Sequence, residues 1–206
     1  QADDPGLELL LGAALGNAGR REEAIERLRL TVERRPQFVP ALQELAGQLA
    51  QAGRTEEAIA AVENGRVQVP GNVELELALA RLHLVRNARA TARAILERAQ
   101  ELAPGRADIL AQLALITMLD GDYAAAADLY RHALGLRPDD ALTRAELATC
   151  LLEMGEREAG EGALRKALDG RPQLLGRAAY VLAVSSHGRF FFRPSALKKF
   201  IQREPG

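Results

Sequence analysis

Five prolines, Pro36, Pro70, Pro104, Pro138 and Pro172, stand 34 residues apart in this 206-residue chain. They are five of its nine prolines, so the interval is a property of the chain rather than a scatter. Proline lacks the backbone donor that a helix interior needs, and it pushes the residue before it out of the helical region. Stops at a constant interval of this length mark a stack built from one repeated supersecondary unit. Boundaries set on the prolines give five units, 5–38, 39–72, 73–106, 107–140 and 141–174. Residues 1–4 are then the end of a preceding unit or a linker, and 175–206 are C-terminal capping helices.

Other positions fall into the same register. The eighth residue of each unit is Gly12, Ala46, Ala80, Ala114 or Ala148, and the twentieth is Ala24, Ala58, Ala92, Ala126 or Gly160. Large apolar residues take the seventh (Leu11, Leu45, Leu79, Leu113, Leu147) and the twenty-fourth (Leu28, Val62, Leu96, Tyr130, Leu164). The fifteenth is Gly19, Gly53, Asn87, Gly121 or Gly155, residue types that tolerate the left-handed conformation ending a helix. Acidic pairs such as Glu22-Glu23 and Glu56-Glu57 follow, suiting the first turn of a second helix. The chain leans on Ala, Leu, Arg and Glu, all strong helix formers. Each unit therefore reads as a helix–turn–helix hairpin in an all-α chain, with small residues where the two helices approach.

This pattern resembles the tetratricopeptide repeat, whose 34-residue unit carries small residues at positions eight and twenty and proline at thirty-two; the match spans residues 5–174. The resemblance implies a right-handed superhelical solenoid of stacked antiparallel helix pairs, about five full repeats plus a C-terminal capping hairpin. Departures occur where the family usually places an aromatic at position four or eleven, as at Glu8, Glu76 and Thr117. Gly160, with Gly162, should weaken its helix by roughly 1 kcal/mol per glycine relative to alanine and make it the softest of the array. Ala2-Asp3-Asp4 stands in the phase of Pro138-Asp139-Asp140, and no polar capping helix precedes the first repeat. A stretch cut from a longer array is the expectation from that phase.

Little in the chain points to catalysis. With 27 Lys+Arg against 28 Asp+Glu, the net charge of -1 supplies no field to gather nucleic acid or an anionic membrane. Arginines are interleaved with glutamates, as in Arg20-Arg21-Glu22-Glu23, which is a solvated helix face. Cys150 is alone and flanked by Ala148 and Leu151, so it reads as a small core residue with no disulfide partner. His83 takes the eleventh position, where other repeats carry Leu15, Leu49 and Leu151, and is expected to be packed with a hydrogen-bond partner. His132 is expected at the surface. Ser185-Ser186-His187 pairs a hydroxyl with an imidazole, but sequence neighbours are not a triad without a third residue to orient them. The glycines fall on the repeat register rather than in a phosphate-cradling loop, and no metal spacing occurs. No enzyme activity, cofactor or metal is expected. The longest largely apolar run, Ile109 to Leu119, is interrupted by Gln112 and is too short to span a bilayer. The compartment expected is the cytoplasm, or the periplasm if a signal segment was removed ahead of Gln1.

Stacked hairpins of this family bind on the concave surface lined by their first helices. Carried over residue by residue, the resemblance places Leu9, Ala13 and Asn17 in that groove from the first repeat, and Gln43 and Gly47 from the second. Leu77, Arg81 and Leu84 follow from the third, Ala111, Leu115 and Met118 from the fourth, and Thr149 and Leu152 from the fifth. Relatives that clamp a chaperone's terminal carboxylate use a Lys and an Asn where this chain has Leu9 and Ala13, so that activity is not expected. The floor is apolar, with Arg81 its one positive charge, and suits an amphipathic helix or an extended apolar peptide. Alternatively, several of these leucines pack on neighbouring helices. The function expected is a protein-binding scaffold; the alternatives are the regulatory array of a larger enzyme, such as a glycosyl- or sulfotransferase-type protein, and homo-oligomerisation through the terminal repeats. Neither nucleic acid nor membrane insertion is expected.

The 34-residue rule breaks at Gly188-Arg-Phe-Phe-Phe-Arg-Pro-Ser-Ala-Leu-Lys-Lys-Phe200, which holds four of the five phenylalanines. A further first helix is expected from Leu174 to about His187, with Val181 and Leu182 at packing positions. Beyond it Pro194 cannot continue a helix, and Ser195 can cap a short one. Phe190, Phe191, Phe192, Leu197 and Phe200 would then cover the apolar end of the stack, or else dock in a groove of this or another copy.

Overall fold

A computed structural model of the chain describes residues 4–188 with Ser195, Lys199 and Phe200. Among the described residues the regular structure is all helical. The chain divides into two compact units, one up to Pro104 and one from Gly105. The first contains α1 (Pro5–Asn17), α2 (Arg21–Arg34), α3 (Val39–Gln51), α4 (Thr55–Gln68), α5 (Val73–Val85) and α6 (Arg89–Leu102). The second contains α7 (Ala107–Leu119), α8 (Tyr123–Leu136), α9 (Ala141–Glu153), α10 (Arg157–Leu168), a 3-10 turn (Pro172–Leu174) and α11 (Leu175–Val184). Within each unit consecutive helices pack on one another, and first helices also touch, α1 on α3, α3 on α5, and α7 on α9.

The repeat has a backbone signature. Gly19, Gly53, Asn87, Gly121 and Gly155 all take positive φ, from 58° to 89°, and turn the first helix of each hairpin into the second. Asn87 is the one non-glycine with positive φ among the described residues, and asparagine bears that conformation better than other side chains. The five residues before the periodic prolines, Arg35, Val69, Ala103, Arg137 and Arg171, share φ between -128° and -141° and ψ between 67° and 81°. Arginine, valine and alanine in one conformation trace it to the proline that follows. Side-chain caps from Asp4, Asn72, Asp122 and Asp140 start four of the helices.

Small and large residues mesh as the register requires. Ala24, Ala58, Ala92 and Ala126 are buried, as are Leu28, Val62, Leu96, Tyr130 and Leu164 at position twenty-four. A Cβ on Gly12 would lie 2.7 Å from Cγ of Leu28, so α1 and α2 touch where alanine would not fit. Leu11 departs from the other leucines at position seven: it is exposed, as are Leu7 and Leu10, because α1 has a first-helix neighbour on one side only among the described residues.

The polar departures are accommodated individually. Glu76 is 4% exposed and holds Arg66 of α4 at 3.0 Å and Arg98 of α6 at 2.6 Å, tying three helices together. Glu8 pairs with Arg27 of α2 at 3.1 Å. The Thr117 hydroxyl donates to the Leu113 carbonyl of its own helix at 2.9 Å.

The segment after α11 differs from the expectation. The helix ends at Val184 rather than near His187, and Ser185 is extended. Ser186 donates from its amide and its hydroxyl to the Glu153 carboxylate, at 3.1 and 2.6 Å. The His187 ring nitrogen lies 3.0 Å from the Leu152 carbonyl, and Arg157 donates to the Gly188 carbonyl at 3.2 Å. These contacts with the α9–α10 turn replace another helical turn. Val181 and Leu182 are buried as expected. Phe200 is half-buried against the cluster containing Leu164, Val181 and Leu182, with the Arg165 guanidinium 4.9 Å from its ring centre. Phe190, Phe191, Phe192 and Leu197 lie outside the described residues.

Candidate functional site

Residues three or four apart share a helix face, so Leu9 and Ala13 on α1, Leu77, Arg81 and Leu84 on α5, and Ala111, Leu115 and Met118 on α7 form rows. In the first unit Leu9, Ala13, Gln43 and Leu84 are half-buried, and Asn17, Gly47 and Arg81 are exposed. The Gln43 amide donates to the Glu74 carbonyl at 3.4 Å, linking α3 to α5 along this face. In the second unit Ala111, Leu115, Met118 and Thr149 are half-buried. Ala111 and Met118 rest against the cluster around Ala126 and Tyr130, and the Thr149 hydroxyl turns back to the Ala145 carbonyl at 3.3 Å.

Two residues expected on the groove floor are interior instead. Leu77 is 1% exposed and Leu152 is 0% exposed. Leu152 packs towards α10, where a Cβ on Gly160 would stand 2.8 Å from its Cγ. The glycine opens a slot that draws the leucine in, so it presents no side-chain surface to a partner.

Polar groups border the α7–α9 face. Asp108 is gripped by Arg106, which holds its carboxyl below the usual range, helped by the Ile109 amide at 3.0 Å. Glu146 of α9 forms an ion pair with Arg177 of α11. These pairs lower the net charge at the edge of the face, leaving Leu115 and Met118 as its apolar centre.

Several of the groups considered for chemistry are engaged in packing or hydrogen bonds. Cys150 is buried, and burial pushes its thiol up to about 12, so it stays protonated near neutral pH. The Ser186 hydroxyl is bonded to Glu153 and the His187 ring faces a backbone carbonyl, an arrangement that fastens a loop. His132 is exposed. His83 is half-buried, but its Nδ1 is enclosed without the expected hydrogen-bond partner among the described residues. Burial, with Arg86 nearby, lowers its pKa. Among the described residues no group of three or more His, Cys, Asp and Glu could hold a metal, and no helix is long and apolar enough to cross a membrane.

Two large cavities among the described residues lie outside the expected groove. One of about 520 Å³ is floored by Leu42, Leu45 and Leu49 of α3 and walled by Ala60, Ala61 and Asn64 of α4 and Arg29 and Glu33 of α2. The other, of about 500 Å³, is lined by Arg144, Leu147 and Leu151 of α9 and Ala159, Gly162, Ala163, Arg165 and Lys166 of α10. They share the fourth, seventh, eleventh, nineteenth, twenty-second, twenty-third and twenty-sixth positions of their repeats. Position twenty-three explains why these repeats are open. It is Ala61 and Ala163 here, against Arg27, Ile95 and Leu129 in the other three. Arg27 reaches Glu8, Ile95 is buried and Leu129 packs on its neighbours, so each larger side chain takes up the space that alanine leaves. That alternation is readable in the sequence once position twenty-three is known to face the cavity.

Solved structures share this fold at low sequence identity. TTC0263, a thermophilic TPR protein of Thermus thermophilus, superposes with a TM-score of 0.75 at 23% identity, over 88% of this chain and 100% of its own. MamA gives a TM-score of 0.61 at 20% identity, over 79% of this chain and 95% of its own. The Cut9 and Hcn1 hetero-tetramer of the APC/C gives 0.75 at 20% identity, over 98% of this chain and 43% of the matched chain. No curated protein matches the sequence significantly. The sequence pattern of the tetratricopeptide repeat matches residues 49–116 and 117–183, two stretches that together cover more than half of the chain. With the 34-residue register, the shared turn conformations and this match together, the chain belongs to the tetratricopeptide repeat family.

Proposed function

We propose that the chain is a non-enzymatic scaffold that captures a partner peptide or helix on the face built by its first helices. The observation that carries this reading is the row Ala111, Leu115 and Met118 on α7 beside Thr149 on α9, apolar at its centre and bordered by paired charges. An amphipathic helix can lay its apolar side on such a row. Cut9, which shares the fold, is found with Hcn1 in a hetero-tetramer, so this architecture serves assembly in at least one relative in structure. Peptides selected from a displayed library on the intact chain test the reading. Leu115→Glu and Met118→Glu should each weaken selected binders about tenfold or more, because a carboxylate must be desolvated against an apolar partner. Unchanged affinity with both variants would place capture elsewhere.

A second reading, self-association, is favoured by the exposed Leu7, Leu10 and Leu11 on α1. Sedimentation over a concentration series tests it: association lost in Leu11→Glu supports it, and a monomer at every concentration refutes it.

A further inference from the structure

We propose that the cavity over the α9–α10 hairpin docks an acidic peptide segment that carries one large apolar anchor. The two helices run antiparallel, so Arg144 near the start of α9 lies at the same end of the hairpin as Arg165 and Lys166 near the end of α10. Leu151 and Ala159 belong to the opposite end, and Leu147 and Ala163 lie between. The cavity is thus polarised along its length, cationic at one end and apolar at the other, with no carboxylate among the described residues that line it.

Two of the three cations are not cancelled by a neighbouring carboxylate among the described residues. Arg144 donates to the Pro138 carbonyl, and neither it nor Lys166 has an acidic partner among the described residues. Arg165 is shared between Glu161 at 3.4 Å and the Phe200 ring. The sister cavity over α3–α4 differs on this point. Its rim includes Glu33 and Glu57, and its arginine, Arg29, is paired with Glu57 at 2.5 Å. An anionic ligand therefore has an electrostatic reason to choose the α9–α10 site over its sister.

The volume of about 500 Å³ falls within the range of ligand pockets and accepts a phenylalanine-sized side chain. Its walls come from one open hairpin, a surface on which a peptide backbone can run while a single side chain inserts. Acidic residues next to the anchor would meet Arg144 and Lys166. This site uses residues distinct from the α7–α9 face and stands independently of the scaffold reading.

Fluorescence anisotropy on the intact chain tests the proposal, with a fluorescein-labelled peptide of an acidic run followed by one phenylalanine. Binding should be saturable and weaken with salt, as exposed charge pairs require. Ala163→Leu, which installs the residue type of Leu129, should weaken binding about tenfold by filling the cavity. Lys166→Glu, at an exposed position, should weaken it to a similar degree of about tenfold through charge reversal. Both variants should keep the parent's circular dichroism. Equal binding by Ala163→Leu, or by a peptide with alanine in place of phenylalanine, would overturn the proposal by reducing it to surface charge. Stoichiometric displacement by oleate would assign the cavity to a lipid and overturn it. Dimerisation sensitive to Ala163→Leu would give the cavity to a second copy and likewise overturn it.

Discussion

Gly160 shows how a residue that lowers local propensity can serve packing. Glycine costs a helix about 1 kcal/mol relative to alanine, and the other four repeats carry alanine there. An alanine Cβ at this position would stand 2.8 Å from Leu152 Cγ and 3.2 Å from the Ala148 carbonyl oxygen. Relieving that overlap should cost about 1–3 kcal/mol, more than the propensity recovered. Gly160→Ala is therefore expected to lower Tm, and adding Leu152→Ala should cost less in that background than in the parent; a double-mutant cycle by thermal denaturation measures the coupling. His83 presents the opposite case, an enclosed ring nitrogen at a position where three repeats place leucine. Burial lowers its folded pKa, so between that value and about 6.5 the unfolded chain binds more protons and stability falls as pH drops. His83→Leu should remove that loss and raise stability most at the acid end, read as a Tm difference between about pH 7.5 and about pH 5.5. A parent and variant differing equally at both pH values would refute it.

At the scale of helices, Glu76 is the informative departure. Its position holds Leu42 and Leu110 in two other repeats, and an acidic residue there would ordinarily be counted against the fold. Instead, a nearly buried carboxylate joins α4, α5 and α6 through Arg66 and Arg98. Removing one partner of a buried pair can cost several kcal/mol, but both arginines keep access to water and can re-solvate. Glu76→Ala is expected to cost about 2 kcal/mol, and Glu76→Leu less than half of that, because leucine refills the space. Chemical denaturation of the two variants checks the order; an equal cost would mean that the ion pairs, not the volume, hold the three helices. The end of α11 carries a similar lesson. Its helix signal extends towards His187, but Glu153 offers Ser186 two hydrogen bonds, and the chain leaves the helix early to make them.

For the molecule as a whole, Phe200 rests against the Leu164, Val181 and Leu182 cluster, a contact that a C-terminal cap would make. Deleting residues 189–206 is expected to lower Tm or solubility before it alters binding; an unchanged Tm with altered peptide binding would make the segment a ligand instead. What the sequence determined by itself is local. Proline placed at a constant interval, left-handed residues at the hairpin turns, and alternating small and large residues each act within a few neighbours, so the repeated hairpins were legible without coordinates. The tertiary structure decided which side chains of a row remain available. Leu77 and Leu115 look alike in sequence, but one is interior and the other half-exposed, because burial depends on every helix packed around a site. The same holds for Glu76, whose partners lie 10 and 22 residues away, and for the cavities beside Ala61 and Ala163. An alanine reads as helix in any sequence; only packed neighbours that fail to fill the space beside it make it the mouth of a site.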